Sequence, residues 1–275
     1  MNSLTNVKKP QLVGMKLPEN PWFHFSVDDV LPSLLEVSKS DIPLFDHSFM
    51  KFMKFVYENH GLVFDLKLFM RQVDYDGADS SLFNVRVIRD ELLEAGNFIR
   101  FAPHGDCQQI APHEQVVDVQ TALFAGIYNQ IDRFAGKDMY CSWVRLHYFS
   151  ELYEQGPYFA EKGVTALLTT DRPAGSYRMG EEVASQLNTF GFSRFNSTNF
   201  IRTHFRLEDF ANARLSEGEI REEFVRTIKQ YGFIVMLAHE YELTRPEVRS
   251  MLIQVMNVLK SLGVCNYNQS LQEVS

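Results

Sequence analysis

The chain has 275 residues, 45 % of them hydrophobic, with 23 Phe and 11 Tyr, enough apolar material for one substantial α/β core. Its net charge of −8 argues against binding nucleic acid or an anionic membrane, because such binders present basic faces. No apolar run approaches the roughly 20 residues of a membrane span, and three cysteines without C-x-x-C spacing fit a reduced cytoplasmic protein.

Residues 1–20 read as a loosely ordered polar lead-in without the apolar stretch of a secretory signal, which again implies the cytoplasm. At Trp22 a short apolar run begins and stops on two adjacent carboxylates, Asp28 and Asp29. A buried strand has no use for such a pair, so the sequence places it at the strand's C-terminal end. There either a solvated turn or a metal ion would compensate the two charges. Residues 31–40 carry a short helix-like pattern. Residues 47–60 repeat Phe49, Phe52, Met53, Val56 and Tyr57 at helical spacing, with Gly61 placed as the C-cap. A strand follows at 62–70, then a polar loop at 71–84 containing Asp74, Asp76 and Gly77.

From Asn97 a second apolar run enters His104, and residues 115–136 form a long amphipathic helix. Residues 139–144 read as a strand entering Arg145, Leu146, His147 and Tyr148, followed by a helix at 151–163. A strand at 165–170 enters Asp171, and another at 200–204 leads towards Glu208. A helix at 219–231 precedes the most apolar strand, 232–238, which enters His239 and Glu240. A last helix at 246–262 is closed by Gly263.

Strand after strand therefore closes on Asp or His. Parallel strands separated by helices bring their C-terminal ends to one face, where α/β enzymes keep their sites. The pattern predicts one α/β domain over 21–275 with a mostly parallel sheet, closed or nearly so. Asp and His are natural ligands for a catalytic zinc or similar divalent ion, and a free carboxylate beside it can take a proton from bound water. Asp29 is the candidate ligand and Asp28 the candidate base. His104 is a further ligand, His147 also lies at a strand end, and His113 is a weaker choice. His239 suits a general acid, while His24, His47 and His60 read as structural or surface residues. Cys141 and Cys265 read as core, and Cys107 as a loop residue.

The order of these motifs resembles the polysaccharide deacetylase (NodB-homology) family over about residues 22–245, in a divergent bacterial branch. The family's opening T-F-D-D-G is similar to Ser26-Val27-Asp28-Asp29-Val30. Its H-[ST]-x-x-H falls at His104, with Gln108 where the second histidine belongs. R-x-P-[YF] resembles Arg145-Leu146-His147-Tyr148, the fourth motif's Asp corresponds to Asp171, and L-x-L-x-H is similar to Val235-Met236-Leu237-Ala238-His239.

The resemblance implies a single-domain distorted (β/α) barrel, a divalent metal, in particular Zn2+, and a carbohydrate or acylated amino-sugar substrate. It implies hydrolysis of an acetyl or related acyl group from an amide. Asp28 would be the base, Arg145 its orienting partner, Asp29 a metal ligand, and His239 the general acid, held with the help of Asp171. With Gln108 in a ligand's place, His147 would supply the third ligand and His113 is the alternative. Two other functions stay open on the sequence: an inactive carbohydrate-binding or scaffold relative, and a C–N hydrolase acting on a small cytosolic amide.

Overall fold

The computed structural model describes residues 7–15, 17–73, 79–96 and 98–267; Asp74, Asp76, Gly77, Asn97 and the first six residues of the lead-in lie outside them. In chain order the elements are β1 (Trp22–Val30), α1 (Pro32–Ser40), α2 (Ser48–His60), β2 (Phe64–Phe69) and a short hairpin, β3 (Arg71–Val73) with β4 (Asp79–Ser81). Next come α3 (Arg89–Glu94), β5 (Ile99–Gly105), α4 (Val117–Phe134), β6 (Trp143–Val144), α5 (Gly156–Glu161) and β7 (Ala166–Leu168). Then follow α6 (Glu181–Phe190), β8 (Phe192–Phe195), β9 (Thr198–Ile201), β10 (Phe205–Arg206) and α7 (Leu207–Ala213). The last are α8 (Glu217–Tyr231), β11 (Phe233–His239), α9 (Pro246–Ser261) and β12 (Cys265–Asn266).

One sheet runs β10-β11-β1-β2-β5, all parallel, with β12 filling the edge beside the start of β1 that β2 does not reach. A second runs β6-β7-β9-β8, parallel apart from the β8–β9 hairpin. The two meet at narrow seams. At one, Tyr140 bridges Phe101 and the Cys141 amide donates to the Phe101 carbonyl at 2.9 Å; at the other, the His204 amide donates to the Val235 carbonyl at 2.8 Å. The result is a distorted (β/α) barrel in which strand pairing is interrupted at the seams.

β1 is buried along its whole length, so its period-2 alternation separates two environments instead of core from solvent. Phe23, Phe25 and Val27 join the large cluster formed with the helices, among them Leu34 of α1, Met53 of α2 and Val255 of α9. Trp22 faces the barrel interior, stacked on Phe233 at 4.4 Å and edge-on to Trp143 at 5.3 Å, in an apolar plug with Val235, Ile201 and Tyr267. Each such side chain contributes about 1.5–3 kcal/mol by burial.

Above the plug the interior turns polar. His24 binds Asp65 at 2.8 Å, and the wholly buried Lys67 donates to the Trp143 carbonyl at 2.6 Å and to Asp65 at 3.4 Å. Ser26 and Asp28 continue the same face of β1 upward. α2 ends as its sequence predicts: Gly61 has φ 67° and its amide closes the helix on the Tyr57 carbonyl at 2.7 Å.

Several local expectations are corrected. The expected strand at 139–144 shrinks to the two residues of β6, because a 3-10 turn occupies Lys137–Met139. The expected helix at 151–163 is broken: a 3-10 turn at Tyr153–Gln155 precedes a six-residue α5 opening on Gly156 and Pro157. Helices α3, α6 and α7 were not legible from periodicity. Cys265 is exposed and not core, Cys107 is buried, and all three cysteines are free. Of the lead-in, Leu12, Met15 and Leu17 pack against the interior plug, and both backbone groups of Val13 bond the Asn199 side chain, at 3.2 and 2.8 Å. That part is tied to the domain. No helix among the described residues is long and apolar enough to cross a membrane.

Candidate metal and catalytic centre

In an unbroken strand Asp28 and Asp29 would point to opposite faces. The strand does not end at the pair, as the sequence suggested, but runs on to Val30. Instead Asp29 takes a left-handed conformation, φ 63°, where the β1–β2 register shifts between Val27 and Val30. This costs a non-glycine residue about 1–3 kcal/mol. It brings both carboxylates into one cleft.

Asp29, His104 and His147 converge there, with one ligand atom from each within 4.8 Å of the others. Nδ1 of His104 lies 2.8 Å from the Arg145 carbonyl, which can only accept, so this nitrogen carries the proton. Its Nε2 lone pair then faces Asp29 Oδ1 at 3.1 Å. Likewise Nε2 of His147 donates to the Gln108 carbonyl at 3.0 Å. That turns Nδ1 towards His104 Nε2 at 3.3 Å and Asp29 Oδ1 at 3.7 Å. Burial above all pushes His147 down to about 4, so it is neutral at physiological pH.

Three lone-pair atoms aimed at one point repel unless a cation lies between them, and Asp29 Oδ1 is buried with no hydrogen-bond donor. Tetrahedral zinc with bonds of about 2.0–2.1 Å places its ligands about 3.3 Å apart, which the 3.1–3.7 Å spacings match. The residues present therefore fit a divalent ion. Phe69 packs edge-on against both imidazoles, at 5.0 and 4.8 Å, and fixes their planes. Gly105 permits the approach: a Cβ there would lie 3.3 Å from His147 Cβ and 3.4 Å from the Phe69 ring. His147 does not end β6 directly but sits in a 3-10 turn three residues beyond it. His113 is not part of the cluster and bonds Ser150 at 2.9 Å.

Asp28 lies beside this set. Arg145 donates to it at 3.1 Å, also contacts the Ser26 hydroxyl, and donates to Thr203 at 3.1 Å. Burial raises the Asp28 carboxyl, but the Arg145 guanidinium above all, with His239 and Lys67, outweighs it and holds it below the usual carboxylate range. His239 is the reverse case. Burial disfavours its charge, yet the Glu208 hydrogen bond of 2.6 Å, with the charges of Glu208, Asp28 and Asp29, holds it above the ordinary histidine value.

Asp171 does not hold His239. It makes two hydrogen bonds to Arg206, at 2.8 and 3.1 Å, because β10 places that guanidinium beside it while the first turn of α7 brings Glu208 to the imidazole. The sequence signal for Glu208 was a carboxylate just after the strand at 200–204. Asp65 and Lys67 were missed, though opposite charges two apart in an otherwise apolar strand share one face.

These groups open on a cleft of about 530 Å³ whose outer walls include Tyr148, Arg172, Tyr177, Arg206 and Tyr241. Across solved structures the chain is similar to a Mycobacterium smegmatis protein provisionally assigned as a polysaccharide deacetylase, with TM-score 0.58 and 11 % identity, covering 97 % of this chain and 94 % of that one. The chain has the polysaccharide deacetylase fold. It is also similar to a CE4 esterase from Streptococcus mutans, with TM-score 0.50 and 10 % identity over 90 % of this chain and 85 % of that one. No protein-family model and no curated protein matches the sequence.

Proposed function

We propose that this chain is a divergent polysaccharide deacetylase, a metal-dependent hydrolase that removes an acetyl or related acyl group from an amide on a sugar. The observation that carries the reading is the meeting, in one cleft, of a three-atom ligand set with an Arg-paired carboxylate and a Glu-paired imidazole on neighbouring strands. Asp29, His104 and His147 would hold a divalent ion, zinc by this donor set, which would supply a Lewis acid for the amide carbonyl and a water of lowered pKa.

Asp28, kept ionised by Arg145, accepts the proton of the attacking water. As the tetrahedral intermediate collapses and the C–N bond breaks, His239 gives its proton to the leaving nitrogen. The products are a carboxylate and a free amino sugar. Glu208 raises the proton affinity of His239, and each proton transfer contributes about 10²–10⁴-fold to the rate.

Gln108 does not weaken this reading, since its carbonyl orients the histidine that takes the missing ligand's place. A cytoplasmic location belongs to the same proposal and rests on the three free cysteines. The test is acetate release from N-acetylated oligosaccharides by zinc-loaded protein, with Asp28→Asn as the control. Full zinc loading without acetate release from any of them would favour the inactive carbohydrate-binding alternative.

A further inference from the structure

The cleft's rim is locally cationic in a chain of net charge −8. After β7, residues 169–180 supply Arg172 and Tyr177 to the cleft wall, and hydrogen bonds hold this loop at several points. The Arg172 amide donates to Thr170 Oγ1 at 3.1 Å, and the Arg172 carbonyl accepts from Arg202 at 2.9 Å. The buried Glu151 carboxylate accepts from the Ser176 hydroxyl at 2.7 Å and from the amides of Tyr177 and Arg178 at 3.0 and 2.9 Å. Arg172 and Tyr177 thus reach into the cleft from a backbone that needs no further ordering when a ligand arrives.

Two guanidinium groups share one carboxylate at this rim. Arg206 takes Asp171 with two hydrogen bonds, whereas Arg172 Nε stays 3.9 Å away with its side chain 57 % exposed. Arg206 is the closer partner of Asp171, so Arg172, 3.9 Å from the same carboxylate, keeps a half-exposed and only loosely paired guanidinium on the lining of the cleft. Nearby, Tyr177 and Tyr241 are 55 % and 57 % exposed, and the Tyr241 ring stacks on His239 at 5.4 Å. Exposed tyrosines present flat apolar faces with a polar edge, which suits the C–H face of a sugar ring.

We propose that the substrate of this cleft is an acylated amino sugar bearing an anionic group, carboxylate or phosphate, which Arg172 binds at the rim while the tyrosines pack on the ring. The inference deepens the deacetylase reading and rests on it for the sugar and the scissile amide. Guanidinium is suited to either anion, because its planar fork can donate two parallel hydrogen bonds.

Calorimetry on the zinc-loaded full-length chain, with acetate release followed in parallel, tests it with three probes. They are the methyl glycoside of N-acetylglucosamine, N-acetylglucosamine 6-phosphate and N-acetylglucosaminuronic acid. At least one anionic sugar should bind about tenfold to hundredfold more tightly than the neutral one, the span of one charge-assisted hydrogen bond. Arg172→Gln should bring that ratio to about one, and Arg172→Lys should recover part of it. Whichever anion binds more tightly separates a phosphorylated from a uronic-acid ligand. No binding of either anionic sugar, equal binding of all three, or a preference that survives Arg172→Gln would overturn the proposal. An Arg172-dependent preference without acetate release from any probe would sustain it and sink the deacetylase reading instead.

Discussion

Asp28 and His239 are partnered residues in the parallel register of β1 and β11. Their separation is therefore set by backbone pairing, reinforced where the Glu240 amide donates to the Asp28 carbonyl at 3.0 Å. In the proposed mechanism this sets base and acid on adjacent strands, where they can serve the two ends of one amide without a loop having to close.

The adjacent aspartates are expected to separate by role. Asp29→Ala should lower metal content below half an equivalent, whereas Asp28→Asn should keep a full equivalent and lose turnover by about 10²–10⁴-fold. Elemental analysis of the two purified variants, beside acetate-release rates, decides it; equal metal loss in both would contradict the division.

The third ligand gives a second prediction. His147→Ala should strip metal nearly as well as His104→Ala, and His113→Ala should retain it, because His113 bonds Ser150 away from the cluster. Gln108→Ala should also retain metal, since the group that orients His147 is the backbone carbonyl, present in every variant. Zinc affinity measured by competition with a chelator is the readout.

The pH profile follows from His239. Its pKa is raised from the ordinary histidine value of 6.5, so kcat/KM should fall on an alkaline limb that lies above that value. Glu208→Gln removes the charge that raises it and leaves burial, which lowers it. The limb should then move to lower pH, and a limb that stays in place would show that His239 does not supply the proton.

Glu240 predicts a pH-dependent stability. Its carboxylate caps α1 by accepting from the amides of Leu31 and Ser33, at 3.0 and 2.6 Å, and burial pushes its pKa up to about 7. Between the ordinary carboxylate range and about 7 the folded state binds more protons than the unfolded chain. This group's contribution therefore falls as pH rises through that window, by at most about 1.4 kcal/mol per pH unit, and levels off above it. Urea unfolding at pH 5 and pH 8 should show this fall in the wild type relative to Glu240→Gln.

Lys67 is wholly buried between Asp65 and the Trp143 carbonyl. Lys67→Met should destabilise by about 3–5 kcal/mol, because Asp65 keeps a buried charge and loses its buried ammonium partner. A change below 1 kcal/mol in the unfolding midpoint analysis would show that solvent reaches the pair.

The elements that the sequence made legible are those whose pattern is local. β1, β5 and β11 are short apolar runs, and α2, α4, α8 and α9 repeat apolar residues at helical spacing over three turns or more. The same local reading placed Asp28, Asp29, His104 and His239 at one mouth, since parallel strands share an end whatever their order in the sheet. β6, β10, α3 and α7 are too short to carry a period, and their positions depend on what they pack against.

The sequence by itself thus determined which Asp and His side chains gather at the strand ends. Only the tertiary structure decided how they combine. The left-handed bulge that turns Asp29 beside Asp28 is set by the register shift between β1 and β2. Glu208, and not Asp171, holds His239 because α7 begins directly after β10, which hands Asp171 to Arg206. The Gln108 carbonyl takes the orienting role beside His147 from 39 residues away. Side-chain chemistry is written residue by residue, whereas the pairing of charges across the barrel is a property of strand register, and register is settled only when the whole sheet buries its apolar faces.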